Sequence, residues 1–308
     1  MLNITLFPTT LRSMQKVIAI VGPTSSGKTT LSISLARAIG GEMISADSRQ
    51  VYKYLSLATG KVTKKEMRGV RHHCIDIAHP KRTIDVTAYV RHATRALDEI
   101  TKRGHIPIIV GGTGFYMDAL LSGAQIPSVP PNPTLRAKLE KKSVSELARM
   151  LIAKDPERAR TIDLKNPRRL IRALEIIAYT GSPIPALHKA TSYDVLTLGI
   201  DLPDVKLKKK IHTRLHSRIK KGMWQEIARA HAAHSVSWKR LESLGLECKI
   251  GSFIARGLLS QKDGALRLEH EIWQYVKRQR TWFNRNKHII WIDSPMGAQN
   301  LSREFLKK

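Results

Sequence analysis

The chain has 308 residues, 42% of them hydrophobic, enough for one large domain or two modest ones. Its 53 Lys+Arg against 25 Asp+Glu leave a formal net charge of +28, which concentrates polyanions at the surface and makes a nucleic acid the leading partner, ahead of an anionic membrane face. Cys74 and Cys248 are the only cysteines, and no apolar run approaches ~18 residues. The sequence therefore offers no disulfide framework, no structural zinc set and no spanning helix; a reducing, cytoplasmic setting without a membrane partner is expected.

Residues 1–13 have some apolar character but no signal-peptide core, and Met14 stands directly before the first predicted strand. A start at Met14, or a short floppy leader, is expected. The strand is Val17-Ile18-Ala19-Ile20-Val21, apolar and rich in β-branched residues. Gly22-Pro23-Thr24-Ser25-Ser26-Gly27-Lys28-Thr29 follows, the pattern G-x-x-x-x-G-K-[ST]. Leu31, Leu35, Ala36 and Ile39 then recur at helical spacing. Strand, glycine loop and helix together make a phosphate loop. Backbone N–H groups and the positive end of the helix point at an anion, Lys28 adds a point charge, and Thr29 offers a hydroxyl to magnesium. A diphosphate or polyphosphate is expected here. The loop alone does not name the reaction, since ATP fits it as well.

A second strand, Glu42-Met43-Ile44-Ser45-Ala46, runs into Asp47-Ser48-Arg49-Gln50-Val51-Tyr52. Spacing alone leaves Asp47 as a magnesium ligand, a general base or a turn cap. His72-His73 are neighbours, which suits them poorly to share a metal. Cys74-Ile75-Asp76-Ile77 precede a helix predicted over 86–102. The strand Ile106-Pro107-Ile108-Ile109-Val110 enters Gly111-Gly112-Thr113-Gly114, either a second anion-holding turn or a tightly packed one. This alternation predicts an α/β fold: a P-loop-containing parallel sheet with helices on both faces. Ligands in such sheets lie at the carboxyl ends of the strands. The phosphate loop, Asp47 and Thr113 should therefore meet in one crevice.

Pro127-Ser128-Val129-Pro130-Pro131-Asn132-Pro133 reads as an extended linker. A helical insertion domain is expected over 127–194, with the catalytic core over 15–126 and 195–308. The core resumes as a strand over 195–200, is mostly helical over 204–286, and ends in a short strand over 289–293. Arg168, Arg169 and Arg172 cluster in the insertion, and the run 273–283 mixes cations with rings. Cations bind phosphate and rings stack on splayed bases. The alternative is a solvated face over a core stripe of Ile272, Tyr275, Val276 and Trp282.

Taken together, these runs resemble the tRNA dimethylallyltransferase (isopentenyltransferase) family over about 16–293. Its Gly-Pro-Thr-x-x-Gly-Lys-Thr lies at 22–29, its Asp-Ser-x-Gln-Val-Tyr at 47–52, and its His-His-x-Ile-Asp at 72–76. Its Pro-Ile-x-Val-Gly-Gly-Thr-Gly-x-Tyr lies at 107–116, an Arg-Arg-x-x-Arg-Ala-Leu-Glu run ends at Glu175, and Lys277-Arg278-Gln279-x-Thr281-Trp282 matches its C-terminal signature.

The resemblance implies transfer of a dimethylallyl group from its diphosphate to the exocyclic 6-amino group of adenosine 37 of tRNA, next to the anticodon. It implies Gly22 to Thr29 and Arg278 on the diphosphate, Mg2+ with Thr29, and Asp47, Thr113 and Lys28 as catalytic groups. It implies tRNA contacts from Asp47, Ser48, Arg49, Gln50, Arg136, Arg168, Arg169, Arg172, Lys277, Arg278, Gln279, Thr281 and Trp282. The anticodon stem-loop is then the partner of the positive surface, and a monomer is expected. The chain departs from the family at Trp273, where many members carry Arg, and at Leu246, where a Tyr follows the glycine. The rival expectations are an ATP-dependent P-loop kinase and an RNA-binding relative impaired by the missing arginine.

Overall fold

The computed structural model describes residues 14–123, 127, 129–185 and 193–308. The leader expected over 1–13, Ser128 of the linker and the end of the predicted insertion lie outside the described residues. In chain order the elements are β1 (Gln15–Val21), α1 (Lys28–Ile39), β2 (Gly41–Ser45), α2 (Lys64–Met67), β3 (His72–His73), α3 (Val86–Lys102), β4 (Ile106–Gly111) and α4 (Gly114–Leu121). Then come α5 (Pro133–Leu139), α6 (Val144–Lys154), α7 (Pro156–Thr161), α8 (Pro167–Thr180) and β5 (Tyr193–Gly199). The chain continues with α9 (Asp204–Lys220), α10 (Met223–Ala232), α11 (Trp238–Leu244), α12 (Leu246–Ala255), α13 (Gln261–Phe283), β6 (Ile290–Trp291) and α14 (Pro295–Lys307).

The strands form one parallel sheet in the order β3-β2-β4-β1-β5-β6. β1 shows why it is central. Successive side chains of a strand point to opposite faces, and both faces of β1 are apolar. Ile18 and Ile20 pack with Leu31, Leu35 and Ala36 of α1 and Ala298 of α14. Val17, Ala19 and Val21 pack with Tyr89, Ala93 and Leu97 of α3 and Met117 of α4. A strand buried on both faces reads as a continuous apolar run, as this one does. A third cluster joins Leu207, Ile211 and Leu215 of α9 to Trp224, Leu241, Cys248, Leu268, Ile272 and Val276 of the following helices.

β3 pairs with β2 over His72–His73, and the pairing stops there. Cys74 and Asp76 adopt φ of 61° and 56°, a left-handed conformation that ends a strand. A C-terminal helix, α14, follows the last strand, which pairs only over Ile290–Trp291. Ser294 accepts a hydrogen bond from Gly297 N, and Pro295 sits at the first helical position, two ordinary start signals.

The chain divides into two compact units, one of them Gly123–Ala190, about four residues earlier at each end than the 127–194 read from the linker. Within it, Leu147 and Leu151 of α6 pack with Leu170, Leu174 and Ile177 of α8.

Candidate active site

β1 delivers the chain into a loop that only glycine can start. Gly22 has φ 144°, and a Cβ there would lie 2.1 Å from the carbonyl oxygen of Ile200. Gly27, at φ 107°, precedes α1 and supplies no side-chain cap, and no acid lies in the helix's first turn. The first N–H groups of α1 and the helix dipole are thereby kept for an anion. The Ser26 hydroxyl is buried with no partner among the described residues. Lys28 Nζ donates to the carbonyls of Gly22 at 2.9 Å and Pro23 at 2.7 Å. Burial, and next the Arg214 guanidinium, push its pKa from 10.5 down to about 7, while Asp47 and Asp201 pull upward. Thr29 is exposed.

The ends of β2 and β4 are laced together beside this loop. Ala46 N donates to Val110 O at 2.7 Å, and Thr113 N to Ala46 O at 3.2 Å. Asp47 Oδ1 then accepts from Arg49 N at 2.8 Å and Gln50 N at 3.3 Å. One oxygen caps the turn and fixes the carboxylate; the second is not engaged by that turn. Ser48 N donates to Thr113 Oγ1 at 3.1 Å. Burial first, and then the nearby Asp47 charge, push the Tyr275 hydroxyl up to about 12, opposed by a hydrogen bond with Thr113.

The second glycine turn is explained by packing. A Cβ on Gly112 would lie 2.2 Å from Gln279 Nε2, and one on Gly114 2.2 Å from Trp282 Cδ1. The glycines let α13 approach the sheet, so their presence needs no second anion. Gln279 is 4% exposed, and its amide bridges the two turns: Thr24 N donates to Oε1 at 2.9 Å, and Nε2 donates to Gly112 O at 2.8 Å. Gln279 therefore positions the phosphate loop and presents no free face to RNA. Gln50 is also turned inward, accepting from Ser45 Oγ at 3.1 Å. Trp282 Nε1 donates to Asp118 Oδ2 at 2.9 Å, and its ring packs on Gly114 and edge-on to Phe115. Ser48 and Arg49 are half-buried, whereas Lys277, Arg278 and Thr281 are exposed, and Thr281 Oγ1 bonds back to Lys277 O at 3.0 Å.

These elements enclose a crevice of about 480 Å³ whose lining includes Thr24, Ser25, Asp47, Thr113, Tyr275 and Arg278. Arg214 and Arg218 of α9 also line it. Arg214 Nη2 donates to Gly60 O at 2.8 Å, and Arg218 is committed to Glu247 at 2.8 Å. Lys210, one turn before Arg214, brings Nζ to 4.0 Å from where a Cβ of Gly27 would stand. Reading the sequence missed Lys210 and Arg214. Their i,i+4 spacing beside the buried stripe Leu207, Ile211 and Leu215 was the available signal.

Trp273, where the resemblance implies arginine in many members, is flanked by Lys208 Nζ at 4.8 Å and the Arg280 guanidinium at 5.7 Å from the ring centre. Arg280 grips Asp201 Oδ2 at 2.7 Å, Asp204 Oδ1 at 2.6 Å and Leu202 O at 2.7 Å. This latch ties α13 to the turn that launches α9.

In the other unit, Glu175 is 1% exposed. Arg136 holds it through bonds of 2.8 and 2.7 Å, Arg172 holds it as well, and Asn132 N donates at 2.6 Å. Burial would raise its pKa, but these donors hold it down at about 2. Arg136 and Arg172 are thus engaged inside the insertion, whereas Arg168 and Arg169 are exposed.

For magnesium the chain offers hard oxygen donors: the Thr29 hydroxyl, the Asp47 carboxylate and the orphaned Ser26 hydroxyl. This is the donor chemistry that ion prefers.

Comparison with known proteins gives a consistent result. The family described as IPP transferase matches residues 50–286. The chain is 40% identical over 281 residues to tRNA dimethylallyltransferase 2 of Trichlorobacter lovleyi, covering 90% of this chain and 92% of that one. It is 39% identical over 290 residues to tRNA dimethylallyltransferase of Thermomicrobium roseum, covering 92% and 88%. Among solved structures, the full-length tRNA isopentenylpyrophosphate transferase of Bacillus halodurans superposes with a TM-score of 0.71 at 31% identity, covering 95% of this chain and 97% of that one. A eukaryotic dimethylallyltransferase acting on tRNA superposes with a TM-score of 0.81 at 25% identity, covering 95% and 80%.

Proposed function

This chain belongs to the IPP transferase family, the tRNA dimethylallyltransferases, and from that premise we propose how its residues perform the transfer. The reaction moves a dimethylallyl group from dimethylallyl diphosphate to tRNA. The finer reading is an acceptor at the exocyclic 6-amino group of adenosine 37, beside the anticodon. An adenosine must leave its stack to reach a crevice, at a cost of a few kcal/mol. A tRNA substrate suits a cytoplasmic enzyme, and a crevice lined by residues of one chain suits a monomer.

The observation that carries the reading is convergence. Thr24 and Ser25 of the phosphate loop, Asp47, Thr113 and the cations Arg214 and Arg278 line one crevice. The loop N–H groups and Lys28 hold the diphosphate as leaving group. An anion there restores the Lys28 proton, because a neighbouring negative charge raises a lysine pKa. The C–O bond to the diphosphate breaks, the N–C bond forms, and the amine proton passes to the Asp47 carboxylate. Thr113 and Ser48, bonded to each other, keep the Asp47 turn in place. Magnesium, held by the Thr29 hydroxyl, would supply charge neutralisation at the leaving group. Arg278 and Arg214 stand in for the arginine that Trp273 replaces, so the enzyme is active on this reading. Arg168, Arg169, Lys277 and Arg278 are the exposed cations proposed to contact tRNA phosphates.

The test is to mix protein, magnesium, unmodified tRNA and radiolabelled dimethylallyl diphosphate, with a parallel arm using labelled ATP. Label entering tRNA at adenosine supports the proposal. ATP-dependent phosphorylation of a small acceptor would establish the kinase instead, and tRNA binding without transfer would establish an impaired relative.

A further inference from the structure

Away from the crevice, three side chains that serve no step of the transfer come together between two helices. His212 and His216 lie one turn apart on α9, and Glu269 projects from α13. His212 Nδ1 is 3.0 Å from Glu269 Oε2, and His216 Nε2 is 4.0 Å from the same oxygen. The two imidazole rings are 4.2 Å apart, and one ligand atom from each of the three residues lies within 4.8 Å of the others. We propose that His212, His216 and Glu269 form a binding site for a transition-metal ion of the zinc class, which ties α9 to α13.

Three arguments carry the assignment. Histidines at i and i+4 on a helix face one way and can share an ion, as in helical zinc sites. With zinc–nitrogen and zinc–oxygen bonds near 2 Å, tetrahedral ligand atoms stand about 3.3 Å apart. The present separations bracket that value, and rotation of the two exposed histidine side chains can reach it. The second argument is charge. In a chain with 53 Lys+Arg, Glu269 is paired with no lysine or arginine among the described residues; the side chains it faces are the two imidazoles. A carboxylate placed there for an ordinary ion pair would find abundant cations. The third is selectivity. A basic surface repels a dication, so the ion must gain from nitrogen ligation. That favours zinc, nickel or cobalt over magnesium or calcium, which take oxygen.

The consequence lies in the two helices joined. α9 contributes Ile211, Arg214 and Arg218 to the crevice, and α13 contributes Ile272, Tyr275 and Arg278. None of the three proposed ligands lines it, so the ion would brace the crevice wall from outside. Three protein ligands leave at least one position for water.

The experiment uses the full chain, stripped of metal with a chelator, titrated with Zn2+ by calorimetry and followed by thermal unfolding, with Mg2+ as the control. One Zn2+ per chain and a rise in unfolding temperature that Mg2+ does not reproduce are expected. Both should be lost in His212→Ala, His216→Ala and Glu269→Gln, with affinity falling at least the roughly 10–100-fold that loss of an outer partner costs a metal site. The histidines are exposed and Glu269 is half-buried, and circular dichroism of the metal-free variants checks that the fold is kept. Co2+ absorption in the visible reads the same ligands without relying on stability. Burial holds the Cys74 and Cys248 thiols up at about 12, so neither competes as a thiolate. Failure of the native chain to bind Zn2+, or binding undiminished in the three variants, would overturn the proposal.

Discussion

Gln279 of α13 accepts a hydrogen bond from the backbone N–H of Thr24 at 2.9 Å, and so holds the phosphate loop from a point 255 residues away in sequence. Its other end donates to Gly112 O at 2.8 Å. A single buried amide therefore sets the spacing between the two turns that flank the crevice. Replacing Gln279 with Leu leaves a half-buried donor and a half-buried acceptor unpaired, at up to about 1–3 kcal/mol each. The expected result is a lower unfolding temperature together with a raised KM for the diphosphate. An unchanged KM in a folded variant would show that the loop holds its shape without the amide.

Asp47 separates structure from chemistry. Asp47→Asn retains an Oδ1 acceptor for the Arg49 and Gln50 N–H groups but removes the base. Single-turnover transfer should fall by about 10²–10⁴, while the unfolding temperature stays near that of the parent. Asp47→Ala should lose both. Transfer at the parental rate in the Asn variant would remove Asp47 from the proton path.

Lys28 makes a prediction about protons. Its pKa is about 7 in the folded chain against 10.5 unperturbed, so near pH 8 the amine is largely neutral. A bound anion raises that pKa. Calorimetry of inorganic diphosphate binding at pH 8, in buffers of different ionisation enthalpy, should reveal proton uptake, fading below pH 7 where Lys28 is already charged. Lys28→Met should abolish the uptake. The stability sign follows from the same shift. Between about pH 7 and 10.5 the unfolded chain binds the extra proton, so this residue's burial penalty is relieved as pH rises. Uptake that persists in the Met variant would assign the proton elsewhere.

Glu175 controls the insertion. Its carboxyl is held at about 2, against 4.5 unperturbed, so it contributes stability above pH 4.5 that is lost as pH falls toward 2. Glu175→Gln should destabilise this unit by up to about 3 kcal/mol, the low end for a buried pair because Arg136 and Arg172 are over a third exposed and screened by water. Amide exchange along α8 should accelerate in the full chain. Slow exchange as in the parent would show that helix packing alone suffices.

The tRNA contacts are best tested away from that pair. Arg168→Ala with Arg169→Ala leaves the Glu175 cluster intact. Affinity for tRNA should fall, and the log–log salt slope should shrink by roughly 0.7–0.9 for each phosphate that is no longer neutralised. An unchanged slope would make these arginines a solvated face.

The parts legible in the sequence were those written by short-range rules. β1, the glycine loop and α1 are adjacent in the chain, and their pattern alone specifies strand, anion-holding turn and helix. The ends of α3 were readable because Asp85 caps its start and the apolar spacing stops at Lys102. Placing Asp47 and Thr113 together followed from parallel topology, which puts every strand's carboxyl end on one edge. What stayed hidden depended on which distant groups meet. Gln279 looked like a polar residue of a basic stretch until α13 packed it against Gly112. Arg136 and Arg172 had no visible partner until the helices of the insertion buried Glu175 between them. Lys210 and Arg214 were two cations in a basic helix until α9 was laid along the crevice. The chain by itself determined its family chemistry and the phosphate loop, because those depend on neighbours in sequence. Only the tertiary structure decided which charges are committed and which remain for a ligand, because pairing is set by distance in space.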